Sequence, residues 1–244
     1  MERLEPIGNK MSIFVNDEHI FGTDAILLAD FAACSKVNKA CDLGTGCGII
    51  PMVWLRDNRV NFAYGVEIQQ QAANLAEKTA RLNGIQDRFT VLNRDLKELK
   101  GAVEFGSFDL VCCNPPYKAS GAGILNASSS ACIARHETLC TFEDITATAA
   151  KLLKYSGRFC VCHRPERLTD VFCTMRQYKI EPKRLRNVIQ RQGQKPWLVL
   201  VEGRLGGKPG LDIQTPLYIE ENQEPSAEMQ SICKEYRSKS GISK

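Results

Sequence analysis

The chain lacks the features that mark membrane proteins and disulfide-stabilised proteins. No apolar run reaches the roughly 18 residues that span a bilayer, and the first five residues do not have the pattern of a secretory signal peptide. The eleven cysteines are odd in number and include no Cys-x-x-Cys pair. We therefore expect a reduced cytoplasmic protein with no membrane partner and no metal site.

Excess charge and internal repeats are also missing. The net charge is only +4, which is too weak by itself to indicate a polyanionic partner, and no repeat is found. A length of 244 residues with 43% hydrophobic and 25% charged content is ordinary for one large globular domain.

The third glycine of the dinucleotide-binding fingerprint is absent. Gly44 and Gly46 fit the first two positions of G-x-G-x-x-G, but Ile49 stands where the third glycine should be. This departure argues against a nicotinamide-dependent dehydrogenase.

A different glycine motif is present in the same place. Asp42, Gly44, Gly46 and Gly48 form Asp-x-Gly-x-Gly-x-Gly directly after a buried strand. The carboxylate can accept from an ammonium or amide N–H, and the glycines let the backbone approach a bulky nucleoside. The motif predicts an S-adenosylmethionine site, with a structural turn as the alternative.

Further cofactor-binding residues follow at strand ends. Glu67 comes 21 positions after Gly46, close to the offset at which an acid meets ribose hydroxyls, and Ile68 adjoins it. Asp95, with the backbone of Leu96, could accept from an adenine amino group. Each acid also has an alternative interpretation: Glu67 could be a solvated carboxylate at the end of a strand, and Asp95 could be a helix cap.

The N-terminal segment, residues 1–30, is expected to cover the cofactor or substrate. A helix is predicted over residues 21–31, with Thr23 or Asp24 as its cap. We place both residues in the cofactor set because this turn could lie over the ligand. Capping alone is the alternative.

The most informative stretch is residues 108–117, an apolar strand that ends in Asn114, Pro115, Pro116 and Tyr117. The prolines must end the strand, which leaves Asn114 at the carboxyl end where ligands bind in open α/β sheets. The Asn114 side-chain oxygen and the Pro115 carbonyl could accept both hydrogens of a planar amine, and Tyr117 could stack on its ring. The stretch favours catalysis of methyl transfer to such an amine, against a plain proline-rich turn.

A substrate-binding segment and a basic region follow. Residues 118–134 are predicted to form a substrate loop that begins with Lys118 and is closed by Arg135 and His136; a solvated histidine is the alternative for His136. Residues 164–195 hold nine basic and three acidic side chains, a local charge of +6. This cluster favours contact with a phosphate backbone, and a solvated helix face is the alternative.

The sequence as a whole resembles class I S-adenosylmethionine-dependent methyltransferases, more narrowly the bacterial tRNA(Val) adenine-N6 methyltransferase family. The residues that carry the resemblance are Asp42–Gly48, Glu67, Asp95, Asn114–Tyr117, and the segments 21–30, 134–137, 163–168, 181–186 and 206–211. It implies methylation of an adenine in the anticodon loop of a valine tRNA, with S-adenosylmethionine as cofactor. The substrate set comprises Lys118, Arg135, His136, Arg164, Lys183, Arg184 and Arg186.

The expected fold is α/β: a Rossmann-like class I methyltransferase with a mostly parallel seven-stranded sheet and helices on both faces. Residues 1–220 are predicted to form a single domain, and residues 221–244 a polar C-terminal tail. We expect a monomer that acts on tRNA.

Three other functions share parts of this pattern. A release-factor glutamine methyltransferase uses a similar Asn-Pro-Pro-Tyr turn, but it carries a helical domain where this chain has only about 40 residues before Asp42. A DNA adenine methyltransferase would need a sequence-reading domain. A non-catalytic RNA-binding module would have no use for residues 114–117.

Overall fold

The molecule is built around one large twisted sheet. The computed structural model describes residues 1–33, 35–115 and 140–233. Its strands are β1 (Arg3–Gly8), β2 (Met11–Val15), β3 (Val37–Leu43), β4 (Val60–Glu67), β5 (Phe89–Asn93), β6 (Phe108–Cys113), β7 (Leu153–His163), β8 (Ile180–Ile189), β9 (Leu198–Leu205), β10 (Asp212–Ile213), β11 (Leu217–Tyr218), β12 (Glu220–Glu221) and β13 (Glu224–Pro225).

Helices of moderate length connect the strands. They are α1 (Thr23–Ala32), α2 (Ile49–Arg56), α3 (Gln70–Leu82), α4 (Phe142–Leu152), α5 (Leu168–Gln177) and α6 (Ala227–Cys233), with short 3₁₀ turns at Leu96–Glu98 and Pro165–Arg167. In the described ranges, no helix is long and apolar enough to cross a bilayer.

The strand order of the central sheet is β10-β8-β9-β7-β6-β3-β4-β5, with β11 also paired to β8. β9 runs antiparallel to β7 and β8, and the remaining pairs are parallel. Seven long strands therefore form the mostly parallel sheet that the sequence predicts. Two two-residue strands, β10 and β11, extend it beyond β8.

Both faces of the sheet are covered, as predicted. Successive residues of a strand point to opposite faces. Leu110 and Cys112 of β6 accordingly join a core with α1, α2, α3 and α6, whereas Val111 and Cys113 join a second core with α4 and α5. The β1–β2 hairpin packs on the first face, where the Phe14 amide donates to Thr79 Oγ1 of α3 at 3.0 Å.

Three arginines hold the C-terminal end of α1 against the sheet. Arg184, Arg158 and Arg59 donate to the carbonyls of Phe31, Ala32 and Ala33 at 2.7, 2.9 and 2.9 Å. These carbonyls lack partners within the helix, and the negative end of the helix dipole favours cations there. The N-terminal end of α1 is thereby directed toward the carboxyl ends of the parallel strands.

The chain stays packed beyond the predicted domain boundary at residue 220. Met229 and Ile232 of α6 are buried in the core that contains α1. Glu228 accepts two hydrogen bonds from Arg186 at 2.7 and 2.8 Å. Residues 220–233 therefore cover part of the first sheet face.

Candidate functional site

Three strand ends meet at the carboxyl edge of the sheet, where the strand order reverses around β3. Leu43 of β3 pairs with Val66 of β4 on one side and with Cys113 of β6 on the other. The next residue of each strand or loop is therefore at about the same level. Gly44, Glu67 and Asn114 consequently occupy neighbouring positions at the point where open α/β sheets bind ligands.

The glycine turn between β3 and α2 has its backbone exposed toward this edge. Gly44, Gly46 and Gly48 have positive φ angles of 73°, 56° and 90°, which side-chain-bearing residues rarely adopt. A Cβ on Gly44 or Gly46 would meet nothing within 4 Å, whereas one on Gly48 would lie 3.1 Å from the Phe89 ring. The first two glycines therefore keep space open beside the turn, and the third allows close packing.

Asp42 and Thr45 place buried polar atoms beneath the glycine turn. Asp42 is only 1% exposed, and neither its Oδ1 nor Thr45 Oγ1 has a hydrogen-bond partner within the described chain. Burial raises the pKa of Asp42 to about 8; the nearby Thr45 hydroxyl lowers the pKa, although it does not meet hydrogen-bond geometry, and the Glu67 carboxylate raises it. Buried acceptors without partners are rare, and a ligand with a cationic or N–H donor would satisfy them.

Glu67 links the glycine turn to the end of β4. Its Oε2 accepts from the Gly46 amide at 2.8 Å and its Oε1 from the Gln69 amide at 2.9 Å. Each carboxylate oxygen keeps further acceptor capacity. Ile68 beside it is 47% exposed, an apolar side chain left uncovered at the ligand edge.

Asp95 follows β5 and begins the 3₁₀ turn at Leu96. Its Oδ1 accepts from the Lys97 amide at 2.9 Å, and its Oδ2 lies 3.6 Å from Lys97 Nζ. The capping role considered for Asp95 is therefore present in the structure. The Leu96 carbonyl accepts from Thr148 of α4 at 3.3 Å.

Thr23 and Asp24 lie in the first turn of α1. The cap is Gly22, which makes no side-chain hydrogen bond, so the expectation that Thr23 or Asp24 caps the helix is wrong. Asp24 Oδ1 accepts from the Ala25 amide at 2.9 Å. Its charge also contributes to raising the pKa of the Cys162 thiol near the end of β7, although burial is the larger cause.

Asn114 is half-buried directly after β6, and Pro115 behind it is buried. Asn114 Oδ1 accepts a hydrogen bond from the Cys162 thiol of β7 at 2.9 Å. Pro116, Tyr117, Lys118, Arg135 and His136, which complete the predicted catalytic and substrate sets, lie outside the described residues.

The basic residues of the predicted substrate set have structural partners. Arg184 donates to Glu202 at 2.9 Å and lies over the Phe31 ring with its Cζ 4.0 Å from the centroid. Arg186 pairs with Glu228. Lys183 donates to the Lys208 carbonyl at 3.1 Å. Much of the local positive charge is thus neutralised within the fold.

Arg164 lies closer to the carboxyl edge, one residue after β7. Its Nη1 donates to the Trp197 carbonyl at 3.0 Å, and its guanidinium lies 5.7 Å from the centre of the Trp197 ring. Burial, aided by the positive charge of Arg167, lowers the pKa of the neighbouring His163. Imidazole at this edge is therefore neutral at physiological pH.

Two residues of the site, Thr45 and Cys162, were not predicted from the sequence. In the sequence Thr45 is only a variable position of the glycine motif, and Cys162 is only a small apolar residue of a core strand. Their roles depend on which strands are neighbours, because β6 and β7 are separated by 39 residues along the chain yet pair in parallel.

The hydrogen-bond acceptors of the site fit a nucleoside that carries an amine. A carboxylate oxygen without a partner in the described chain lies under a turn with two open glycines, and acids with remaining acceptor capacity lie at the end of β4 and just after β5. In the described residues, no group of three or more potential ligands could hold a metal ion.

The comparisons with known proteins agree with this geometry. Residues 6–179 match the family model described as "Methyltransferase small domain". The chain is 28% identical over 189 residues to a Porphyromonas gingivalis protein named tRNA1(Val) (adenine(37)-N6)-methyltransferase, covering 75% of this chain and 73% of the relative. A Bacteroides thetaiotaomicron protein of the same name is 26% identical, with 74% of each chain covered.

The fold has solved counterparts. A predicted O-methyltransferase from Agrobacterium tumefaciens superposes with a TM-score of 0.69 at 20% identity, covering 86% of this chain and 95% of that one.

Proposed function

The chain belongs to the methyltransferase small domain family, and from this premise we propose that it transfers a methyl group from S-adenosylmethionine to the N6 amino group of an adenine in tRNA. The observation that carries the proposal is the position of Asn114 and Pro115 at the carboxyl end of β6, beside the glycine turn after β3.

An aromatic amine needs help to act as a nucleophile because its lone pair is delocalised into the ring. Acceptance of its two hydrogens by Asn114 Oδ1 and the Pro115 carbonyl returns electron density to the nitrogen and orients its lone pair. The methylated nitrogen loses a proton readily, so no strong general base is required. Tyr117 supplies the stacking surface for the base in this proposal.

The cofactor set is supported by the chemistry of its side chains. Asp42 would hold the ammonium of the methionine moiety, Glu67 the ribose hydroxyls and Asp95 the adenine amino group. Ile68 would cover an apolar ring face, and Gly44 and Gly46 would let the backbone approach. When bound, S-adenosylmethionine supplies an electrophilic methyl group on a sulfonium.

The tRNA target is supported by the names of both relatives, which specify a tRNA substrate. The same names support a narrower target, which is adenine 37 in the anticodon loop of a valine tRNA. Arg164 is the candidate for a phosphate contact near the reacting base because it lies at the carboxyl edge. Lys183, Arg184 and Arg186 would act farther away.

A substrate panel tests the proposal. Single-turnover reactions with radiolabelled S-adenosylmethionine are offered total tRNA, duplex DNA and a release factor in parallel, and the products are digested and identified. A valine tRNA transcript is compared with one in which adenine 37 is replaced by guanine.

We expect label as N6-methyladenosine in tRNA, and none in the guanine transcript. Label on the release factor alone would replace the proposal with glutamine methylation. Cofactor binding without label in any substrate would favour the non-catalytic module.

A further inference from the structure

The thiol of Cys162 contacts the amide that the proposed chemistry depends on. Cys162 is the penultimate residue of β7, and Asn114 directly follows β6. The two strands pair in parallel with Cys113 opposite Val161, so the next residues of both strands are neighbours. The sulfur lies 2.9 Å from Asn114 Oδ1.

This thiol is a hydrogen-bond donor. Cys162 is fully buried, and burial raises the pKa of its thiol well above the usual range, with the charge of Asp24 adding to the effect. The sulfur therefore keeps its proton at physiological pH. A protonated thiol donates to a carbonyl oxygen, whereas the nitrogen of an amide has no lone pair available to accept.

The contact distinguishes the two orientations of the Asn114 side chain. With the oxygen beside the thiol, Oδ1 accepts from Cys162 and keeps a second lone pair for another donor. With the amide reversed, the NH₂ group would meet a sulfur that accepts only weakly.

We propose that Cys162 is a positioning residue that holds the Asn114 amide with Oδ1 available to the substrate amine. This inference rests on the proposed function, because it assigns Oδ1 to the amine of the methyl acceptor. Cys162 itself touches neither substrate nor cofactor in this scheme. It acts by restricting rotation of the amide before the substrate arrives.

The chain offers a matched control on the same strand. Cys160 is equally buried and faces the same side of the sheet, but its sulfur approaches Glu202 Oε2 at 3.8 Å. Cys160→Ala removes a buried thiol of the same size without touching Asn114. Cys162→Ala removes the donor, and Cys162→Ser restores one.

Single-turnover rates and cofactor affinities are measured for the three variants. We expect Cys162→Ala to lower the methylation rate about tenfold, as the loss of one hydrogen bond predicts, with unchanged affinity for S-adenosylmethionine. Cys162→Ser should recover to within about threefold of the wild-type rate, and Cys160→Ala should stay near it. Equal rates for Cys162→Ala and the wild type would overturn the proposal.

A double-mutant cycle separates positioning from general destabilisation. In an Asn114→Ala background Cys162→Ala should cause no further loss of rate, because residues that act through one contact are not additive. A tenfold loss in both backgrounds would mean a merely structural role and would overturn the proposal.

A readout without RNA keeps this test independent of the substrate. The side-chain NH₂ resonances of Asn114, identified by their disappearance in Asn114→Ala, should shift in Cys162→Ala and remain in place in Cys160→Ala. This result together with failed RNA methylation would refute the proposed substrate and retain the positioning role. Unmoved resonances would refute the positioning role.

Discussion

At the scale of single residues, Asp42 has the most unusual environment in the site. Its carboxyl is buried with Oδ1 unpartnered in the described structure, and burial raises its pKa from 3.8 to about 8. The folded state therefore binds a proton that the unfolded state releases above about pH 4, and stability falls as pH rises from about 4 to about 8. A cationic ligand at this position reverses the effect by favouring the carboxylate.

We predict that Asp42→Asn stabilises the ligand-free protein and weakens cofactor binding. The amide keeps the shape of the side chain without a charge, so the melting temperature at pH 8.5 should exceed that of the wild type, and the difference should vanish near pH 4. Added S-adenosylmethionine should stabilise the wild type far more than the variant. Thermal unfolding across pH, with and without cofactor, measures both effects.

The control for this prediction is Asp87→Asn, which changes an exposed carboxylate. It should leave both the pH dependence and the cofactor response unchanged. A lower melting temperature for ligand-free Asp42→Asn than for the wild type at pH 8.5 would contradict the account of Asp42.

At the scale of elements, α1 depends on a buried ion cluster at its C-terminal end. Glu202 Oε2 accepts from Arg158 at 3.2 Å and from Arg184 at 2.9 Å, and both arginines also donate to the last carbonyls of α1. One carboxylate thus accepts from one buried and one partly buried guanidinium group. The cluster keeps α1 in place, and with it the turn at Thr23 and Asp24.

We predict that Glu202→Gln lowers the free energy of unfolding by about 3 kcal/mol, because removing one partner of a buried ion pair leaves uncompensated charge. Chemical denaturation measures the change. Glu221→Gln, at an exposed position, should change the free energy by less than about 0.5 kcal/mol. A similar small effect at Glu202 would show that the cluster does not stabilise α1.

The elements themselves are largely predictable from sequence, and the residues that fail do so for tertiary reasons. The apolar pattern predicts α1 and the strand that ends just before Asn114. The cap of α1 is missed because Gly22 occupies the position instead of a side chain with an acceptor. The structural partners of Arg184, Phe31 and Glu202, could not be predicted because they are distant along the chain.

At the scale of the whole molecule, the C-terminal segment is where composition misleads. The polar residues of the segment after residue 220 suggest a tail. Yet Met229 and Ile232 are spaced three apart and face α1, which only the folded structure reveals. The alternation of strands and helices predicts the parallel sheet and a site at the carboxyl ends of its strands. The position of the site is therefore far easier to predict from the sequence than the partners of its basic residues.

We predict that Ile232→Ala destabilises the whole domain by about 2–3 kcal/mol, since it removes a buried side chain from the core shared with α1. The melting temperature should fall by roughly 4–10 °C, as expected for a chain of this size. Ser231→Ala, the exposed neighbour on the same helix, should change the melting temperature by no more than about 1 °C. Equal melting temperatures for Ile232→Ala and the wild type would show that α6 does not contribute to the stability of the domain.

The central claim is that Asn114 activates the acceptor amine, and Asn114→Ala tests it most directly. The single-turnover rate of methyl transfer to tRNA is measured beside the equilibrium affinities for S-adenosylmethionine and tRNA. We predict a rate lowered about 100-fold or more, with both affinities within about threefold of the wild type. Methylation by the variant at the wild-type rate would contradict the account.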